Sequence, residues 1–123
     1  MRIFKSRWFQ RFARKEGIAD ALLREAVARA EKGQIDADLG GEVIKQRIAR
    51  PGQGSSKGYR TIILFRRGAK AFFVYGFAKS QRANIDAAEK EQFKEAAKIV
   101  LSLTEKQLAE LLKRGDFMEV KTE

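Results

Sequence analysis

The sequence predicts a small α+β domain, a short antiparallel sheet held between N-terminal and C-terminal helices. Three observations predict it. Segments toward both ends repeat apolar residues at helical spacing. The middle third is β-rich and alternates with the two-residue period of strands. Glycine-rich or polar breaks separate the two kinds of segment. A length of 123 residues suits one core and not two, so a single domain over residues 1–123 is expected.

Met1–Lys5 reads as a short strand. Arg7 to Lys15 then puts Trp8, Phe9 and Phe12 on one side of a helix that ends near Gly17. From Ile18 to Lys32 the pattern is amphipathic, with Ile18, Leu22, Leu23, Ala26, Val27 and Ala30 as its stripe. Gly33 stands where a helix ends in the left-handed conformation, which only glycine takes at little cost. Asp36–Gly41 reads as a turn-rich connection.

Val43–Ala49 alternates as a strand, Ile44 and Ile48 on one face, Lys45 and Arg47 on the other. Arg50 to Gly58 reads as a loop, because it holds the one Pro, three Gly and two Ser. Tyr59–Arg66 and Ala69–Ala78, joined by a tight Arg66-Arg67-Gly68 turn, form a hairpin. The expected sheet is thus a three-stranded meander, with Phe65, Phe72, Phe73 and Phe77 in the core.

Helical pattern then returns. Asp86 with Glu89 makes a capping box, since each side chain satisfies a free N–H at the helix start. Phe93, Ala96, Ala97, Val100 and Leu101 form the apolar stripe behind it. Thr104 with Gln107 repeats the signal ahead of Leu108, Leu111 and Leu112, and Gly115 stops that helix. Phe117–Lys121 fits an edge strand.

Composition narrows the chemistry. With no cysteine there is no disulfide or thiolate site; with no histidine, the commonest general base and metal ligand is missing. Lys, Arg, Tyr and carboxylates remain for catalysis, and no cofactor or metal is expected. Asp36, Asp38 and Glu42 read as a polar loop in preference to a hard-metal site. No signal-peptide pattern follows the basic, aromatic start. The longest apolar runs, Thr61–Phe65 and Ala71–Phe77, fall far short of the roughly 20 residues of a membrane span. A cytoplasmic, membrane-free protein is expected.

Charge points to a partner. The net charge is +10, and no Asp or Glu lies between Glu42 and Asp86. That window holds Lys45, Arg47, Arg50, Lys57, Arg60, Arg66, Arg67, Lys70, Lys79 and Arg82. The flanks carry equal numbers of both signs, so the whole excess sits in the strands. A segregated basic region is the footprint of a polyanion. A lipid site would instead show a basic amphipathic helix. Nucleic acid is therefore the expected partner.

Lys45, Arg47, Arg60, Lys79 and Arg82 would converge on one side or rim of the sheet if the three strands pair in order. Arg50 and Lys57 sit in a flexible basic loop suited to RNA. That loop is not a phosphate-binding P-loop, because no Ser or Thr follows its lysine and no helix follows it. Tyr59 and Tyr75 are open to two readings: base stacking or proton transfer on one side, core aromatics on the other.

Val43-Ile-Lys-Gln-Arg-Ile-Ala-Arg50, Gly58-Tyr-Arg60-Thr-Ile-Ile and Phe73-Val-Tyr-Gly-Phe-Ala-Lys79 resemble toxins of the RelE/ParE superfamily, especially its HigB-like branch. The resemblance is strongest over about residues 40–85. It implies a compact fold like that of microbial RNases. It also implies a toxin of a type II toxin–antitoxin system, held inactive by a cognate antitoxin, that cleaves mRNA in the ribosomal A site without metal. In that chemistry the ribose 2′-hydroxyl attacks its own phosphate. By position the resemblance implies Arg60 and Arg47 on the phosphate and Lys45 as base. Tyr75, Lys79 or Arg82 is left as the acid. Ser80 stands where the best-known RelE pattern has a second arginine, and Asp86 stands near the place of a tyrosine. Two other readings stay open: a ParE-like gyrase inhibitor, and a non-enzymatic RNA- or ribosome-binding module.

Overall fold

The computed structural model describes residues 1–50 and 54–121, and of residues 54–57 the backbone alone. β1 (Arg2–Ser6) runs straight into α1 (Arg7–Glu16), and α2 (Asp20–Glu31) follows. Next come β2 (Ala37–Gly40), β3 (Val43–Arg50), β4 (Gly54–Arg66) and β5 (Lys70–Ala78). After them lie α3 (Ala87–Val100), α4 (Glu105–Arg114) and β6 (Phe117–Glu119).

Local chemistry sets the helix ends as expected. The Ser6 hydroxyl accepts from the Phe9 N–H to open α1. Both capping boxes form, Asp86 with Glu89 and Thr104 with Gln107. Gly33 lies just past α2 with φ of 83°, where a side chain would be strained.

The expected meander is present: β3 pairs antiparallel with β4, and β4 with β5. The sheet, however, is larger than expected and mixed. Its order is β2-β3-β4-β5-β1-β6, with β1 parallel to β5 and β6 antiparallel to β1. β2 occupies what reads as a mere connection, and β4 begins at Gly54, inside the expected loop. The β1 strand was expected and its place in the sheet was not, whereas β2 and the start of β4 are recruited by their partners. β1 finds β5 far along the chain, and β2 is four residues against β3. Phe117–Glu119 does form an edge strand.

Each face of the sheet carries helices. Phe9, Ala13, Leu23, Ala26, Val27 and Ala30 of α1 and α2 pack on Ile44, Ile48, Ile63 and Phe73. On the opposite face Ala97, Leu101 and Leu108 cover Phe4, Val43, Ile62, Leu64 and Phe72. Phe65 and Phe77 are buried as well. Gln46 shares the inward face of Ile44 and Ile48 and is fully buried. Its amide donates to the carbonyls of Ala26 and Gln34, and its oxygen accepts from the Asp36 N–H. The burial cost is met by satisfied bonds, and the segment leading to Asp36 is tied to β3.

The glycine of the Gly-Tyr-Arg start also has a physical reason. A Cβ at Gly58 would lie 2.2 Å from the Ile48 carbonyl oxygen, where the β3–β4 register shifts. Only a residue without a side chain permits that backbone approach.

Candidate RNA-cleaving face

Strand alternation decides where the basic residues go. Ile44, Gln46 and Ile48 point toward α2, so Lys45 and Arg47 point to the face shared with α3. On β4, Tyr59 and Ile63 belong to the α1/α2 side and Ile62 and Leu64 to the other, which places Arg60 beside Arg47. Register agrees: Arg47 lies opposite Arg60, Lys45 opposite Ile62, and Arg60 opposite Phe77. Lys79 follows β5, its N–H donating to the Gly58 carbonyl at 3.1 Å. The meander thus brings Lys45, Arg47, Arg60 and Lys79 to one region.

The cations perturb one another. Lys45 is held below the ordinary lysine range, first by burial and then by the charges of Arg60, Lys79 and Arg47. Arg60 is 6% exposed and is pushed down by burial and by Arg47. The Lys45 ammonium donates to Asn84 Oδ1 at 3.2 Å.

One carboxylate balances the group. Asp36 Oδ2 accepts from the Arg47 backbone N–H at 2.7 Å, and Oδ1 stands 3.8 Å from Arg47 Nε. Arg29 approaches the same carboxylate at 3.7 Å. Asp36 therefore aims Arg47. Asp38 bonds the Gly40 N–H, and Glu42 pairs with Arg66. Changing Asp36 to alanine is expected to cost about 1–3 kcal/mol, the range for a lost partner of a charged or buried group. Chemical denaturation would measure that loss.

The remaining candidates separate. Tyr59 is 2% exposed, and its hydroxyl donates to Glu16 Oε1 at 3.0 Å. It is a core aromatic, since no face of its ring is open to a base. Arg50 lies over that ring at 5.7 Å rather than with the cluster. The Lys57 side chain and Pro51 lie outside the described residues. Arg82 does not join the cluster: its guanidinium contacts Glu89, the Tyr75 hydroxyl at 2.8 Å and the Asn84 carbonyl at 2.8 Å. Its strong acidic partner draws it to the N-terminus of α3. Tyr75 is half-buried between Trp8, at 4.6 Å between ring centres, and Phe93, at 5.8 Å.

The family model described as the RelE toxin of the RelE / RelB toxin-antitoxin system matches residues 1–120. The chain belongs to the RelE toxin family. It is a toxin of a toxin–antitoxin system, a family of ribonuclease toxins, and membership implies a cognate antitoxin. The mixed α+β architecture is consistent with a RelE-like fold. Among curated proteins and solved structures no match was found. Among the described residues of this RelE-family toxin, no helix is long and apolar enough to cross a membrane.

Sequence reasoning did not single out Asn84, the partner of Lys45, or assign Asp36 to Arg47. Neither carries a local signal, because both act across the fold. Asp36 is recognisable only once Gln46 is seen to anchor the segment before it.

Proposed function

We propose that this RelE-family toxin is a ribosome-dependent mRNA endoribonuclease of the HigB-like branch, acting in the cytoplasm, that cuts mRNA in the ribosomal A site without metal. The observation that carries this reading is the grouping of Lys45, Arg47 and Arg60 on one sheet face with Lys79 just past the end of β5, and Lys45 shifted toward its neutral form. Neutral Lys45 accepts the proton of a ribose 2′-hydroxyl. The 2′-oxygen attacks the adjacent phosphorus, the bond to the 5′-oxygen breaks, and a cyclic phosphate remains. Lys79 gives a proton to the departing oxygen. Arg47 and Arg60 neutralise charge on the phosphate as it builds. Arg82 is the weaker acid candidate because Glu89 holds it. An antitoxin with an acidic segment suits the same face.

Primer extension on a defined mRNA in a translating bacterial extract tests the proposal. Cuts within the reading frame that require ribosomes are expected. Absence of cuts in every condition would overturn it and turn attention to gyrase inhibition and to RNA binding without cleavage.

A further inference from the structure

β1 stops pairing with β5 at Lys5 and Phe73, and α1 begins two residues later. The helix therefore lies along the rest of β5, and Phe12 packs so closely on Gly76 that a Cβ there would meet its ring at 2.7 Å. Trp8 is 39% exposed although it is the largest aromatic in the chain. It stacks on Phe12 at 5.3 Å and lies against Tyr75 at 4.6 Å. Grooves run along both sides of this aromatic ridge. One is lined by Trp8, Arg11, Phe12 and Lys15. The other, of about 260 Å³, continues past Gly76 and Phe77 to Gln81 and Arg82. A drug-sized ligand needs roughly 300–1,000 Å³; a single base needs less.

We propose that this ridge binds an unpaired RNA base, with the adjoining phosphates on Arg11 and Lys15. The occupant follows from chemistry. Exposed aromatics with flanking cations bind single strands by stacking and charge neutralisation, without need of base-edge hydrogen bonds. Among the described residues Arg11 and Lys15 have no ion-pair partner, whereas Arg82 is taken by Glu89 and Glu16 by the Tyr59 hydroxyl. The groove also reaches Phe77, which lies opposite Arg60 in the sheet. The inference rests on the RNA-cleaving reading for the identity of its ligand, yet it concerns a separate set of residues.

The chain has one tryptophan, so its fluorescence reports on Trp8 alone. The test titrates the protein with a short 2′-O-methyl single-stranded RNA, which cannot be cleaved, while anisotropy of a label on the RNA records total binding. Quenching is expected to follow the anisotropy curve, and the matching duplex is expected to bind without quenching. Trp8→Ala should weaken single-strand binding about 5- to 150-fold, the effect of losing one stacked base. Trp8→Phe should keep most of the affinity, which separates stacking from misfolding. Arg11→Gln with Lys15→Gln should flatten the salt dependence. Binding without quenching, and undiminished in Trp8→Ala, would overturn the ridge while leaving cleavage untouched. Quenching by an acidic peptide but not by RNA would overturn it in favour of a protein partner. Quenching that survives in an inactive Arg60→Ala protein would support the ridge independently of the nuclease.

Discussion

Arg60→Ala is expected to lower ribosome-dependent cleavage by about 100- to 1,000-fold, the loss seen when one transition-state donor is removed. RNA affinity should change little, because Arg47, Lys45 and Lys79 still supply the positive field. The reason lies in position. Arg60 is buried to 6% exposure, opposite Arg47 and beside Phe77 in the sheet. A guanidinium held there is already desolvated and oriented before charge develops, which is when such a group contributes most. Single-turnover cleavage with primer extension measures the first effect, and anisotropy measures the second. Since a buried arginine also has a structural part, Arg60→Lys provides the control. It keeps the charge and loses the planar fork, so activity should fall while the thermal midpoint stays near the wild-type value. Equal losses of binding and cleavage in both variants would assign Arg60 to affinity alone.

Lys45→Met is expected to reduce cleavage by about 100- to 10,000-fold, the span for a positioned acid or base. The same change should raise thermal stability. The folded protein holds Lys45 below its unfolded value, through burial first and neighbouring cations second. The unfolded chain therefore binds the proton more tightly, and charged Lys45 opposes folding at neutral pH. That cost fades as pH rises through the folded value and is gone above the unfolded one. Methionine removes the charge and keeps most of the length. Wild-type activity should rise with pH through a limb lying below the ordinary lysine range, and Lys45→Met should lack that limb. Cleavage against pH, with melting curves at the same pH values, checks both claims. A rising limb that persists in Lys45→Met would remove Lys45 from the role of base.

These expectations draw on two kinds of information. Periodicity and end chemistry are local, so the sequence by itself determined the α+β class, the helices with their capping boxes, the hairpin across Gly68, and the outward phase of Lys45 and Arg47. Segregated charge and the Gly58-Tyr59-Arg60 start likewise pointed to the cationic face and the RelE family. Only the tertiary structure decided what depends on pairing between distant segments. β1 lies parallel to β5, and β2 is formed by its neighbour. Tyr59 is covered by Phe12 of α1 with its hydroxyl on Glu16, and Arg82 is claimed by Glu89 across the start of α3. In these cases the deciding partner is remote in sequence or belongs to another element. A residue's own type records that it can pair or stack, and packing selects the partner.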